Sequence, residues 1–562
     1  MLGLFSVPML LRTFAVLLSS FLLACAFPLP PVLTSMEGAS AAWLGLIPLI
    51  LVSRLTRPKL AFWWGWVCGF LFWLVSAAWV LELRNSWGCL PVVILAWVAL
   101  AAYCALYMGV FAYLLASVWP LRSEGNESAR SIGSLRRVAL VLLTPVIWVG
   151  CEYLRAVLFT GFPWNALGVS QYRNIAIIQT SGWGGVYAVS GLIVLLNAAI
   201  AMTVLRIAVE LRCRERRRRR VHFELMIGLI AVAMSWSWGV RTVRRSDRIS
   251  AEDAHIRVTA IQPQTRQIQK WSEAHCASIY RVLQEQTELA VMGRPDLVIW
   301  PETAIPDLLR TAPTVQEMVS ALVMPGTMLL VGAMDFEQSD MDTVYYNASF
   351  LVDADEGIVG SYRKRHLVPF GEYIPFENQI GLIKRLAPLG FSCMPGGKSG
   401  LMELPVGSGS PNQTALFGVL ICFEDVFPYL ARRDVKTGAR FLVNQTNDAW
   451  FEDSAASRQH MANAVFRAVE NRVPLVRCAN TGVTCYVDSF GRIMEMLEGD
   501  EGCTNLRGFS VSEMRLAAAG MPMTPYTRFG DWLFARPCAM ITLVLLMMAW
   551  LKSSRWRAKR RV

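Results

Sequence analysis

Three polar residues stand just beyond runs of apolar, β-branched sequence, at points where a buried strand would release its chain into a cleft. Leu297-Val298-Ile299-Trp300 leads through Pro301 into Glu302, the run 358–362 leads into Lys364, and Leu416-Phe417-Gly418-Val419-Leu420-Ile421 leads into Cys422. A cysteine is a nucleophile only as the thiolate. A nearby carboxylate serves as general base for the thiol, a role Glu302 fits. An ammonium such as that of Lys364 would stabilise the oxyanion of a tetrahedral intermediate in a water-poor site. Singly, each residue has a plainer reading. A cysteine after an apolar strand is usually a small buried hydrophobe, and a lone Glu or Lys at a strand end is usually a solvated charge.

Other candidate chemistry falls away. Gly396-Gly397-Lys398-Ser399 looks like the end of a phosphate-binding loop, but the required glycine five positions before Gly397 is Ser392, and no strand leads into it. No GxSxG elbow occurs, and 5 His leave little material for a Ser-His-Asp machine. His366, beside Lys364, suits a structural or substrate-contact role. The 13 Cys form no CxxC pair and no His/Cys ligand spacing, so neither a metal nor a cofactor is expected. Cys276, Cys393, Cys478, Cys485 and Cys503 leave disulfide pairing open, whereas a nucleophilic Cys422 must stay reduced.

The elements that must position these residues lie between about 254 and 512, where short β-branched runs alternate with polar turns and amphipathic helices, the texture of a layered α/β domain. Roughly 260 residues is ample for a separate core. Strands are expected at 256–262, 296–300, 328–333, 346–352, 358–362, 415–421 and 440–444. A hairpin turn is expected at Asp353–Gly357, and a helix over 455–472.

The rest of the chain points to a bilayer. Of 562 residues 54% are hydrophobic and only 17% charged, with a mean hydropathy of +0.39, against about a quarter charged in an ordinary soluble protein. A spanning helix needs about 20 apolar residues. Windows near 11–30, 39–53, 60–80, 90–119, 138–158, 186–208, 223–240 and 533–551 suggest about eight spans. The first ends in small residues like a cleaved signal peptide, but further spans follow it and Pro28, Pro30 and Pro31 interrupt it, so retention is expected. Arg54, Arg57 and Lys59, then Arg122, Arg130, Arg136 and Arg137, then Arg212, Arg214 and Arg216 to Arg220 fall in alternate connections, and Lys552 to Arg561 close the chain. By the positive-inside rule these segments and both termini are cytoplasmic, and the region 241–530 lies outside. Arg241, Arg244, Arg245 and Arg248 break that pattern on the outer side, where long domains translocate largely regardless of charge. The excess of 54 Lys+Arg over 42 Asp+Glu forms no groove or stripe, so nucleic acid is not an expected partner. Within the fifth window Glu152 and Arg155 are costly in lipid unless paired. An i,i+3 ion pair facing the bundle is expected, with a phospholipid headgroup contact as the alternative.

Three segments, WPETAIP (300–306), YRKRHLVPFGEYIP (362–375) and GVLICFEDVFP (418–428), resemble the Glu, Lys and Cys motifs of the nitrilase superfamily, in the same order. LVPFGEYIP, NDAWFEDS (447–454) and FTGFPWNALGVSQ (159–171) resemble one member family, the bacterial apolipoprotein N-acyltransferases, over nearly the whole chain. The resemblance implies an αββα sandwich outside the membrane over 251–515, between a seven-span bundle over 1–250 and a last span with a basic tail over 516–562. It implies Glu302 as proton acceptor, Lys364 as oxyanion stabiliser and Cys422 as nucleophile, with Glu372 and Glu424 supporting. The donor would be a phospholipid such as phosphatidylethanolamine. The acceptor would be the α-amino group of a diacylglyceryl-modified N-terminal cysteine on an apolipoprotein, in a ping-pong reaction at the bacterial inner membrane.

Two apolar segments, Leu386–Phe391 and Trp450-Phe451, are either plain covering loops or a hydrophobic lid for acyl chains, with Leu389, Phe391, Trp450 and Phe451 in contact with substrate. Glu452 stands where the family usually has Gly, and Phe423 where it often has Tyr. The competing readings are a membrane-tethered amidase using the same three residues, and a scaffold or transporter that only binds lipoproteins.

Overall fold

A computed structural model describes residues 8–87, 89–118, 134–212, 222–249, 254–338, 343–375, 392–397, 400–406 and 414–559. The chain divides into two compact units, one of Met1–Ala78, Ile94–Thr242 and Asp531–Val562, the other of Trp79–Val93 and Val243–Gly530.

In the first unit apolar sequence becomes helix because a bilayer leaves backbone N–H and C=O groups no other partner. Six helices among the described residues are long and apolar enough to cross a membrane: Pro58–Ser76, Leu90–Val118, Leu135–Val157, Val186–Ala208, Phe223–Arg245 and Pro525–Ser553. The other two of the eight expected windows are shorter helices, Met9–Cys25 and Ala39–Arg54. Seventeen residues rise only about 26 Å, and the prolines at 28, 30 and 31 prevent extension. The second is cut into pieces, Ala42–Gly45 and Ile47–Arg54, with Pro48 in the first turn of the latter. Gly65 and Gly69 let Pro58–Ser76 approach Leu90–Val118 closely: a Cβ on Gly65 would lie 2.5 Å from the Met108 carbonyl, and one on Gly69 3.0 Å from Ala105 Cα.

Glu152 and Arg155 are both buried, but they do not form the expected pair. Glu152 accepts the Leu167 N–H at 2.7 Å, and Arg155 donates to the carbonyls of Phe162 and Trp164 at 2.6 and 2.8 Å while lying over the Trp73 ring. The loop 159–171 turns back into the bundle, and these two side chains meet three of its main-chain groups.

The second unit holds twelve strands among the described residues: β1 (His255–Gln262), β2 (Leu297–Ile299), β3 (Met328–Gln338), β4 (Thr343–Asp353), β5 (Gly357–Arg363), β6 (Leu401–Pro405), β7 (Thr414–Ile421), β8 (Phe441–Thr446), β9 (Leu475–Ala479), β10 (Cys485–Val487), β11 (Ile493–Met496) and β12 (Gly508–Arg515). They form two six-stranded sheets, ordered β12-β1-β2-β3-β4-β5 and β11-β10-β9-β8-β7-β6. In each the central strands run parallel: β1 with β2 and β2 with β3 in one, β7 with β8 and β8 with β9 in the other. Strand periodicity sorts the side chains. Val258, Leu297 and Ile299 meet Phe417, Val419, Phe441 and Val443 between the sheets, while Ile261, Val298 and Trp300 point the other way, onto the helices Glu273–Val291 and Pro313–Leu322. Pro428–Lys436 and Ala456–Asn471, the latter in place of the expected 455–472, pack on the second sheet. The result is the expected αββα sandwich. Asp353 caps the β4–β5 turn by accepting from the N–H groups of Asp355 and Glu356.

Candidate active site

The sandwich brings the three strand-end residues together from two sheets. Glu302 follows β2 and Lys364 follows β5 in one sheet; Cys422 follows β7 in the other.

Cys422 has φ +51, a left-handed conformation that costs a side-chain-bearing residue free energy, and opens a short 3-10 turn, Cys422–Val426. Its surroundings hold that geometry. Asn444 Nδ2 donates to the carbonyls of Leu420 and Cys422, each at 3.2 Å, and His460 Nε2 lies 3.2 Å from the Cys422 carbonyl. Burial and then the charge of Glu302 push the thiol well above the usual range, with Lys364 and the Thr446 hydroxyl opposing. The resting group is therefore the thiol, and a base is required.

Lys364 is 1% exposed, and Glu302 is 7% exposed. Lys364 Nζ lies 2.9 Å from Glu372 Oε1 and 3.4 Å from Glu302 Oε1. Burial alone would pull this ammonium down, but Glu372 and Glu302 hold it well above an ordinary lysine. Asn347 Nδ2 donates to both carboxylates at 2.8 Å, and the Asn347 carbonyl accepts the Lys364 N–H. The turn carrying Glu302 passes hard against β3: a Cβ on Gly332 would lie 2.1 Å from the Pro301 carbonyl oxygen, so only glycine fits. Gln445 donates to the Trp300 carbonyl at 2.6 Å, and the buried Lys270 donates to the Glu302 carbonyl at 2.9 Å.

Glu372 and Glu424, expected as supports, do different work. Glu372 binds Lys364, Asn347 and, at 2.8 Å, the Val368 N–H. Glu424, fully buried, accepts from the N–H groups of Ile421, Arg365 and His366 and from the Tyr362 hydroxyl. It ties the nucleophile turn to the lysine segment. The His366 ring packs on Phe427 with centroids 3.7 Å apart, and burial, then Lys364, lowers it to about 4. Phe423 packs edge-on against Phe427.

Beneath the nucleophile lies a buried ionic cluster whose basic members, Arg477 and His460, fall outside every motif read from the sequence. Arg477 pairs with Asp425 at 2.9 Å and Asp448 at 2.7 Å, and His460 lies 2.7 Å from Asp425 and 3.1 Å from Asp448. Lys270 falls outside every motif and expected strand, and Asn347 falls inside the expected strand 346–352 without marking itself as a site residue. Asn347 alone left a trace, as the one amide in the run Tyr345-Tyr346-Asn347-Ala348.

Trp450 and Phe451 sit half-buried in a 3-10 turn, Asp448–Phe451, and Phe451 meets the Trp79 ring edge-on at 4.7 Å. Glu452 follows with φ +47 and ψ −146, a glycine-like conformation. Leu389 and Phe391 lie outside the described residues. Every described cysteine, including Cys276, Cys393, Cys478, Cys485 and Cys503, is free. Among the described residues no group of three or more His, Cys, Asp or Glu is placed to hold a metal.

Residues 19–199 match the apolipoprotein N-acyltransferase N-terminal domain, and residues 257–506 match the carbon-nitrogen hydrolases. The apolipoprotein N-acyltransferase of Geobacter metallireducens is 34% identical over 545 residues, 96% of this chain and 95% of its own length. That of Brucella melitensis is 31% identical over 457 residues, 79% of this chain and 78% of its own. Among solved structures, Saccharomyces cerevisiae Nit3, a nitrilase-superfamily member, aligns with 47% of this chain and 90% of its own at 20% identity, with a TM-score of 0.34.

Proposed function

The chain belongs to the apolipoprotein N-acyltransferase family, and on that premise we propose that it carries an acyl chain from a membrane phospholipid, through a thioester on Cys422, to the α-amino group of a diacylglyceryl-modified apolipoprotein cysteine. The observation that carries the mechanism is the buried Lys364 ammonium between Glu302 and Glu372, its charge and that of Glu302 both acting on the Cys422 thiol.

Glu302 takes the thiol proton as sulfur attacks the ester carbonyl. Lys364 faces the oxyanion. Collapse breaks the ester bond, and the departing lysophospholipid oxygen takes the proton back from Glu302. In the second half the acceptor amine attacks the thioester, Glu302 receives an N–H proton, and the proton returns to sulfur as the amide forms. Each half leaves the enzyme's charge unchanged, which suits a buried site where a net charge is costly.

A phosphatidylethanolamine-like donor is the favoured substrate. The catalytic unit faces the periplasm with both termini cytoplasmic, a reading supported by the arginine-rich alternate connections. Trp450, Phe451, Leu389 and Phe391 contact acyl chains. Replacing Leu389 and Phe391 with Ser is expected to impair turnover of lipid donors far more than of a short soluble thioester donor, and equal losses would refute that role. A soluble-amide hydrolase is disfavoured by the match over 19–199, a region such a reaction does not need.

The test is direct. Purified enzyme incubated with labelled phospholipid should carry an acyl adduct on Cys422 by mass spectrometry, and C422A, E302A and K364A should all be inactive. Turnover by C422A would establish a reaction that does not pass through this thiol.

A further inference from the structure

Lys270 lies in the turn between β1 and the helix Glu273–Val291, and only 2% of it is exposed. A buried ammonium is costly unless a counter-charge or strong acceptors meet it. Among the described residues Lys270 forms no ion pair; its Nζ donates to the Glu302 main-chain carbonyl at 2.9 Å. The turn is itself anchored. Asn447 donates to Gln267 at 2.8 Å, and Asn480 accepts the Thr265 N–H and donates to the Thr265 carbonyl. This lysine is held in place by three separate segments of the sandwich.

Charge bookkeeping gives it a task. Glu302 and Glu372 share one ammonium, that of Lys364, which leaves the pair one positive charge short. We propose that Lys270 is a positioning residue of the acyl-transfer site that acts through Glu302, holding the carbonyl of the general base and supplying the missing positive charge. The inference rests on the thioester mechanism above. When the Cys422 proton passes to Glu302, one negative charge moves from the carboxylate to sulfur. Lys270 acts electrostatically on both groups, so the charge stays within its reach throughout the transfer.

The titratable groups that act on Lys270 are Glu302 after β2 and Cys422 after β7, and Lys364 after β5 pairs with that Glu302 and with Glu372. Burial lowers Lys270 to about 8, against the raising effect of Glu302 and Cys422. It therefore loses its charge as pH rises through that value, and the site then holds one more net negative charge when the thiolate must form. Thioester formation should decline on the alkaline side.

The experiment follows Cys422 acyl-adduct formation by rapid-quench mass spectrometry with full-length enzyme and labelled phospholipid from pH 6 to 10. Wild type is expected to show the alkaline decline near pH 8. K270M should form adduct at least ~10-fold more slowly, a loss typical of a misplaced general base, and without the decline; K270R should recover most of the rate and move the decline to higher pH. A K270M profile matching wild type in rate or in alkaline decline overturns the proposal. If K270M does not fold, K270R decides, and an unmoved decline in K270R overturns it equally. Absence of adduct in wild type would instead overturn the thioester mechanism itself.

Discussion

Tyr362 and Glu424 meet between the two sheets: the phenol hydroxyl donates to Glu424 Oε2 at 2.7 Å, and both side chains are buried. The same carboxylate takes the N–H groups of Ile421, Arg365 and His366. Tyr362→Phe should cost about 1–3 kcal/mol, the usual result of stranding one buried partner, and slow thioester formation. Glu424→Ala strands three main-chain donors and should be the more damaging change in both thermal unfolding and turnover.

Glu302 plays two parts that one substitution separates. Its charge raises the Cys422 thiol, after burial the largest such effect, and its carboxylate is the proposed base. Glu302→Gln should therefore make Cys422 react faster with iodoacetamide near neutral pH while abolishing enzymatic acylation. Lys364→Met removes a charge that lowers the thiol and should slow alkylation. Peptide mapping by mass spectrometry reads both.

The cluster under the nucleophile links stability to pH in two directions. Burial pulls His460 down, but Asp425 and Asp448 outweigh it and leave His460 raised. Its contribution is complete below the unfolded value of about 6.5 and is lost as pH rises through the raised folded value. Asp448, which burial would raise, is held at about 2, chiefly by Arg477 and His460. Its contribution is present above about 3.9 and is lost as pH falls toward the folded value. His460→Gln should thus be less stable than wild type at pH 6, with the gap narrowing at alkaline pH in thermal unfolding of detergent-solubilised protein.

Glu452 occupies φ +47, ψ −146, a conformation that costs a non-glycine residue about 1–3 kcal/mol. Glycine's extra freedom in the unfolded chain offsets roughly 0.5–1 kcal/mol of the relief. Glu452→Gly should stabilise the protein by about 1 kcal/mol, visible as a higher Tm. An unchanged or lower Tm would mean that the Glu452 side chain contributes more than its backbone costs.

What could be read from the sequence was whatever had a local cause. Strands β2, β5 and β7 announced themselves as apolar runs ending in a polar residue, and the Asp353–Gly357 turn through its own Asx contacts. The strand β9 did not, because Arg477 interrupts Leu475–Ala479 and its burial makes sense only with Asp425 and Asp448 from elsewhere. The strands β10 and β11 have three and four residues, too few for any periodicity. Two of the eight apolar windows become shorter helices for a related reason: composition registers apolar residues, whereas helix length depends on an unbroken run, which the prolines near 28–31 and at 48 interrupt. Glu152 and Arg155 suited each other by spacing, but the loop 159–171 offered better partners. Lys270, 32 positions before Glu302, has no local cause at all.

The base and the lysine hang from one sheet and the nucleophile from the other, joined by Glu424, by Gln445 on the Trp300 carbonyl, by the Arg365–Asp434 ion pair and by the packed apolar layer between. A relative slip of about 1 Å can cost on the order of 100-fold in rate, while the hydrogen-bond ladders inside each sheet would scarcely register it. Warming or a harsh detergent should therefore silence the enzyme while its circular dichroism is still that of the native fold, making catalysis the earlier thermometer of damage.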